Sequence, residues 1–230
     1  MDKKDLLERY AATGDEAFYL EALPLFERAI EREPDAATLV DYGYLLEINA
    51  RGLLRKAVEQ YERAAELDPS SDKALYMVIG ARAGLRETGL PIAVHEKRLA
   101  AAPSETREYR LLAAAYLAAH DYDRAAEVIE RGLAIAPDDA QLIGSRAEVR
   151  AGNDDYEGAL SDWRRALELD KDDIGGLYMS AYLLERIGRR QEAIETWQAI
   201  IDWNQSRGYD LDTIWPKQEL DRLRKDLPAV

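Results

Sequence analysis

The stretch "YRLLAAAYLAAHDYDRAAEVIERGLAIAP", Tyr109 to Pro137, carries the fold in two halves. In the first, Tyr109, Leu112, Ala113 and Tyr116 stand at i, i+3, i+4 and i+7, one face of a helix. After the break "HD", Tyr122, Ala125, Ala126, Ile129 and Leu133 mark a second helical face. Pro137 and the two aspartates behind it stop that helix and open the next. The unit predicted is helix, turn, helix, turn. Small side chains at Ala113 and Ala125 let the paired helices approach, and larger residues between them fill the groove.

The same template recurs along the chain. "LFERAIEREP", "QYERAAELDP", "VIERGLAIAP" and "DWRRALELDK" align on one another. Pro34, Pro69, Pro103 and Pro137 follow at steps of 35, 34 and 34, and Lys171 and Gln205 hold the next two places. Ten residues before each lie Phe26, Tyr61, His95, Ile129, Trp163 and Trp197, and four residues earlier Ala22, Ala57, Pro91, Ala125, Ala159 and Ala193. Three columns at one period identify an internal repeat.

The pattern resembles the tetratricopeptide repeat, W-x2-L-G-x2-Y followed by A-x3-F and a closing P. The fourth repeat matches it through Tyr109, Leu112, Ala113, Tyr116, Ala125, Ile129 and Pro137. Gly43 and Gly80 stand at the close-packing glycine, and Ala147 and Ala181 at its usual replacement. The resemblance implies an all-α, right-handed superhelical α-solenoid of about six helix hairpins. The repeats are expected at about 1–35, 36–70, 71–104, 105–138, 139–172 and 173–205, followed by a loop and a C-terminal capping helix within 206–230. Pro216 opens that last helix, with Leu220, Leu223 and Leu227 along one side. It is expected to cover the apolar end of the array, with Trp203 or Trp215 beneath it.

Three departures qualify the pattern. Repeat one has extra residues between Gly14 and Ala22, and repeat two is expected to have a long turn at "NARGLL", Asn49 to Leu54. In repeat three Pro91 replaces the small alanine, and its second helix is expected to start late and to be short; whether it bends the array stays open.

Composition narrows the functions. Nearly half of the 230 residues are apolar, enough for a core, while a net charge of −14 argues against nucleic acid and anionic membrane as partners. The absence of cysteine removes disulfides, thiolate nucleophiles and Cys-ligated zinc. The longest apolar run, Leu111 to Ala119, is too short to cross a bilayer, and "MDKKDLLERY" has no apolar signal core, so the cytoplasm is the expected location.

Catalytic chemistry finds no foothold. Phosphate-loop, zinc-protease and G-x-S-x-G motifs are absent from the sequence. "DKDDIGG" from Asp170 begins like a calcium loop but has Ile174 and Ala181 where ligands are required. His95 falls in a packing column and His120 in a turn, so both read as structural. No enzyme activity, cofactor or metal is expected.

Binding residues are sought on the first helices, which line the concave wall in the family. Tyr44, Tyr178 and Tyr182 are aromatic contacts for a partner on this reading, or else are half-buried between neighbouring helices. Arg107, Arg110, Arg146 and Arg150 form, with Arg82, a basic set on an acidic chain. They either hold an anionic group bidentately or pair with internal acids such as Glu148. The family's two-carboxylate clamp is poorly matched, with Glu8 and Asp41 where asparagines belong. The expectation is a non-catalytic interaction module that binds a peptide or protein in the concave groove, an acidic segment of the partner being one option. The alternative is a self-associating scaffold joined through the N-terminal hairpin, Leu6 to Ile30. Monomer and homodimer both stay open.

Overall fold

The computed structural model describes residues 1–32, 35–209 and 213–225; Pro34 and Leu227 lie outside them. Among the described residues there are twelve helices and no strand. The chain divides into two compact units, Met1–Thr88 and Gly89–Val230. The boundary falls inside the third repeat, so that its two helices belong to different units.

The first unit holds α1 (Lys3–Thr13), α2 (Glu16–Arg32), α3 (Ala36–Leu67) and α4 (Asp72–Gly84). Leu6, Leu7 and Tyr10 of α1, Ala22 and Phe26 of α2 and Leu45 of α3 form its core. The long turn expected at Asn49 to Leu54 is not a turn: α3 runs through it as one helix of 32 residues. The reason is local. In the matching places of later repeats Asp121 and Asp155 accept hydrogen bonds from Arg124 N and Gly158 N and so start a new helix. Repeat two has Leu53 there, which can cap nothing.

The second unit holds α5 (Gly89–Ala101), α6 (Thr106–Ala118), α7 (Tyr122–Ile135), α8 (Ala140–Gly152), α9 (Tyr156–Leu169), α10 (Gly175–Arg186), α11 (Arg190–Ser206) and α12 (Ile214–Lys225). The pairs α6 and α7, α8 and α9, and α10 and α11 pack as hairpins. Their alanine columns meet at full burial: Ala113 and Ala125, Ala147 and Ala159, Ala181 and Ala193. Each hairpin turns through one left-handed residue, His120 (φ 57°), Asp154 (φ 63°) or Gly188 (φ 77°). Arg86 (φ 63°), in the first unit, stands in the same column, whose steps are all 34.

Two expectations about packing need correction. Helix α5 starts at Gly89 and has 13 residues, as many as α4 and α6. It is neither late nor short. Pro91 is its third residue, where an amide has no intrahelical acceptor to lose. Gly43 is not a close-packing glycine either, since a methyl group there would meet nothing within 4 Å. That role falls to Gly132, where a methyl would lie 2.7 Å from Leu142 Cδ1 and 2.9 Å from Tyr109 Cβ.

At the C-terminal end α12 packs on α11. Pro216, Leu220 and Leu223 are buried, the two leucines in one cluster with Trp197 and Ile200. Arg190 ties the helix down by donating from Nε and Nη2 to Leu223 O, at 3.0 and 2.7 Å. The tryptophans buried in this cluster are Trp163 and Trp197; Trp215 rides on the cap helix itself.

Candidate functional site

Tyr178 and Tyr182, one turn apart on α10, meet Trp197 of α11 and Trp215 of α12. Trp197, fully buried, donates from Nε1 to Glu185 Oε1 at 2.8 Å. Its ring is met edge-on by Tyr178 (6.0 Å between centroids), Tyr182 (5.4 Å) and Trp215 (5.2 Å). Trp215 stacks on Tyr178 at 5.8 Å and 12°. These edge and stacked arrangements fix ring orientation. Yet Tyr182 stays 44% and Trp215 41% exposed. Desolvation, followed by the charges of Glu219 and Glu185, pushes the Tyr182 phenol above its usual value.

Beside this cluster opens a cleft of about 530 Å³, walled by Tyr178, Trp203, Tyr209, Ile214 and Trp215, with Asn204 at its floor. Trp203 is held by its Nε1 bond to Lys171 O (3.0 Å) and by the Arg207 guanidinium 3.9 Å above its ring. Trp203, Tyr209 and Trp215 were not expected as binding residues. Only their clustering near the end of the repeats signals them in sequence.

A second hollow, of about 220 Å³, includes Leu117 of α6, Glu148 and Ala151 of α8, and Met179 and Arg186 of α10. Glu148 remains accessible, but the helices around it displace enough water to push its carboxyl above the ordinary range.

The expected arginine cluster divides. Arg146 forks onto Asp162 of α9, Nε to Oδ2 at 2.8 Å and Nη2 to Oδ1 at 2.9 Å, while Arg150 reaches Asp162 Oδ2 at 2.8 Å. Glu148 is not their partner. In repeat four the same two columns hold Leu112 and Val128, both buried. Repeat five has thus exchanged an apolar pair for an ion pair, a signal legible only when both columns are compared. Arg110 donates to Gln141 Oε1 at 2.8 Å and lies 3.6 Å from Asp139; Arg110 and Arg107 are both half-exposed on α6. In the first unit, Arg82 is held between Glu62 and Glu87, and Tyr44 stands exposed on α3.

His95 is buried on α5 with Nδ1 2.8 Å from Glu108 Oε2. Burial pushes its imidazole below the usual value, against the pull of Glu108. His120 supplies the left-handed turn between α6 and α7. Among the described residues no group of three or more His, Cys, Asp or Glu is placed to hold a metal ion, and no helix is long and apolar enough to cross a membrane.

Stacked hairpins with small-residue seams and a covered end define an all-α helical repeat protein. Residues 112–175 match the family model described as tetratricopeptide repeat. The TPR repeat-containing protein YpiA of Bacillus subtilis (strain 168) is 24% identical over 232 residues, 86% of this chain and 53% of its own length. Human serine/threonine-protein phosphatase 5 is 27% identical over 110 residues, 48% of this chain and 21% of its own length. The chain therefore spans about half of the first relative and a fifth of the second. Among solved structures, a thermophilic TPR protein of Thermus thermophilus superimposes with a TM-score of 0.59 at 21% identity, covering 77% of this chain and 94% of that one. Repeats of this type are protein–protein interaction modules, generally without catalytic chemistry of their own.

Proposed function

We propose that the second unit binds a peptide or a segment of a partner protein on the exposed side of α6, α8 and α10, with an aromatic or aliphatic side chain of the partner seated in the cleft beside Trp215. The observation that carries this reading is the half-exposed aromatic cluster. Tyr182 and Trp215 are held rigidly against a buried Trp197, yet leave over two fifths of their surface in water. Rigid, amphipathic aromatics in a pocket are what a binding hot spot consists of. Arg107 and Arg110, at the α6 end, supply a cationic stretch for an acidic group of the partner. Arg146 and Arg150 are the weaker candidates, because both share the buried Asp162 at 2.8 Å.

The test is selection of twelve-residue peptides from a random displayed library. The affinities of those recovered are then measured against wild type, Trp215→Ala, Tyr182→Ala and the pair Arg107→Glu/Arg110→Glu. The expected peptides carry an apolar anchor and bind Trp215→Ala at least about tenfold more weakly, the loss of one hot-spot contact. The arginine reversal weakens only the acidic peptides. Recovery of no peptide, or undiminished binding by both aromatic variants with helicity unchanged, would sink the proposal.

A further inference from the structure

The straight helix α3 leaves the interior of a hairpin uncovered. In repeat four, Glu108 and Ala115 face backwards along the array and are buried, and in repeat two their counterparts Thr38 and Leu45 are buried as well. Tyr109, Ala113 and Tyr116 face their own second helix and are also buried, but the counterparts Leu39, Gly43 and Leu46 are exposed, the two leucines at 48% and 39%. The other wall of the missing hairpin is open too. Ala125, Ile129 and Gly132 are buried, whereas Ala57 and Tyr61 are half-exposed and Ala64 is exposed. Two complementary faces of one hairpin thus lie bare on the two halves of a single helix.

Both halves are anchored away from each other. Leu45 sits in the core of α1 and α2, and Lys3 Nζ donates to Thr38 Oγ1 at 2.8 Å. Beyond the middle, Leu54 lies under Gly84 of α4, and Glu62 is paired with Arg82 of the same helix. A helix held straight at both ends cannot fold its halves together, so whatever covers them comes from outside repeat two.

We infer that a second copy of this chain lies antiparallel across α3, rebuilding the repeat-two hairpin twice by exchange. The spacing makes the surface self-complementary. Leu39 and Tyr61, Gly43 and Ala57, and Leu46 and Leu54 are each placed symmetrically about Ala50. A two-fold axis at Ala50 therefore sets every first-helix residue of one copy against its hairpin partner in the other, the condition for a closed, isologous dimer. The paired stretch, residues 39 to 61, is roughly 33 Å long. Gly52 holds the turn position of the hairpin that α3 does not form. It stands 34 residues before Arg86, in the column where Arg86, His120, Asp154 and Gly188 all turn left-handed, and glycine is the residue that would do so most freely.

The chain has no cysteine, so introduced thiols report without background. Ala50→Cys places one thiol on the proposed axis, and Gly43→Cys with Ala57→Cys places two across each rebuilt seam. Each full-length variant is oxidised, or treated with a short bis-maleimide, and run without reductant, beside sedimentation equilibrium of the unaltered chain. The expected result is a dimer in solution and covalent dimers from both variants. A monomer of the double variant whose two introduced thiols are bridged to each other would overturn the inference in favour of a closed hairpin. Free thiols on a monomer throughout would overturn it outright. Leu39→Glu with Leu46→Glu should raise the dimer dissociation constant at least about tenfold with helicity retained, and an undisturbed helical dimer would count against this surface. Since the peptide cleft lies in the other unit, neither outcome decides the fate of the proposed function.

Discussion

Replacing Asp162 by valine strips two arginines of their shared counterion. Arg146 loses contacts of 2.8 and 2.9 Å and Arg150 one of 2.8 Å. Each hydrogen bond between charged groups contributes about 1.5–3 kcal/mol when well desolvated. The guanidiniums keep about a third of their surface in water, 29% and 36%, so screening reduces the sum. The expected loss is about 2–4 kcal/mol. The second half of the test restores packing rather than charge: Arg146→Leu with Asp162→Val recreates the Leu112 and Val128 pair of repeat four. Replacing an ion pair by packed apolar side chains is commonly neutral or better, so the double variant should recover at least half of the loss. Urea titration followed by tryptophan fluorescence is the assay, because Trp163, Trp197, Trp203 and Trp215 all belong to the second unit. With a slope of about 1–3 kcal/mol per molar urea, the single variant should lower the midpoint by on the order of 1 M. A midpoint within about 0.3 M of wild type, or a double variant no better than the single one, would refute the reasoning.

Acid should weaken the second unit through His95. Its imidazole is held below its unfolded value by burial, with Arg98 and Arg107 adding to the effect against Glu108. The unfolded chain therefore binds the extra proton, and this contribution, complete above pH about 6.5, is lost as pH falls through that value towards the folded one. His95→Gln keeps a donor for Glu108 but cannot titrate, so the difference between urea midpoints at pH of about 7.5 and about 5.5 should shrink; equal differences would contradict the assignment. Gly188→Ala should cost about 1–2 kcal/mol by the same fluorescence assay, because alanine is strained at the left-handed φ of 77° while its methyl meets nothing within 4 Å. An unchanged midpoint would show that this turn does not hold its left-handed form in solution.

Much of the fold is visible in the sequence because the packing columns are chemically distinctive. Alanines at 125, 159 and 193 and bulky residues four places on specify which faces meet, whatever surrounds them. The left-handed turn column is harder to see, since Arg86, His120 and Asp154 are not glycines and only their spacing marks them. The continuity of α3 depends on something missing, a cap at Leu53, and a missing cap weighs little beside a matching repeat. Nothing along the helix of Arg146 and Arg150 marks their partner, because Asp162 comes from the facing one. Of the aromatic site, Tyr178 and Tyr182 follow from helix position. Trp215 does not, because its place depends on how a segment beyond the repeat doubles back.

The uninterrupted course of α3 also alters what a change in chain length does. In α6 and α7, an extra residue near His120 falls in a turn, where it is absorbed locally. In α3 the same insertion near Gly52 becomes a change of phase. Everything after it rotates by about 100° around the helix axis and advances about 1.5 Å relative to α1 and α2. Leu54, which meets Gly84 of α4, would then lose its fixed angle to Leu45, which meets the core of α1 and α2 from the opposite face of the helix, nine residues or about 180° around it. Repeat two therefore works as a ruler with fixed gradations, and the middle of α3 tolerates insertions and deletions less than the turn it replaces.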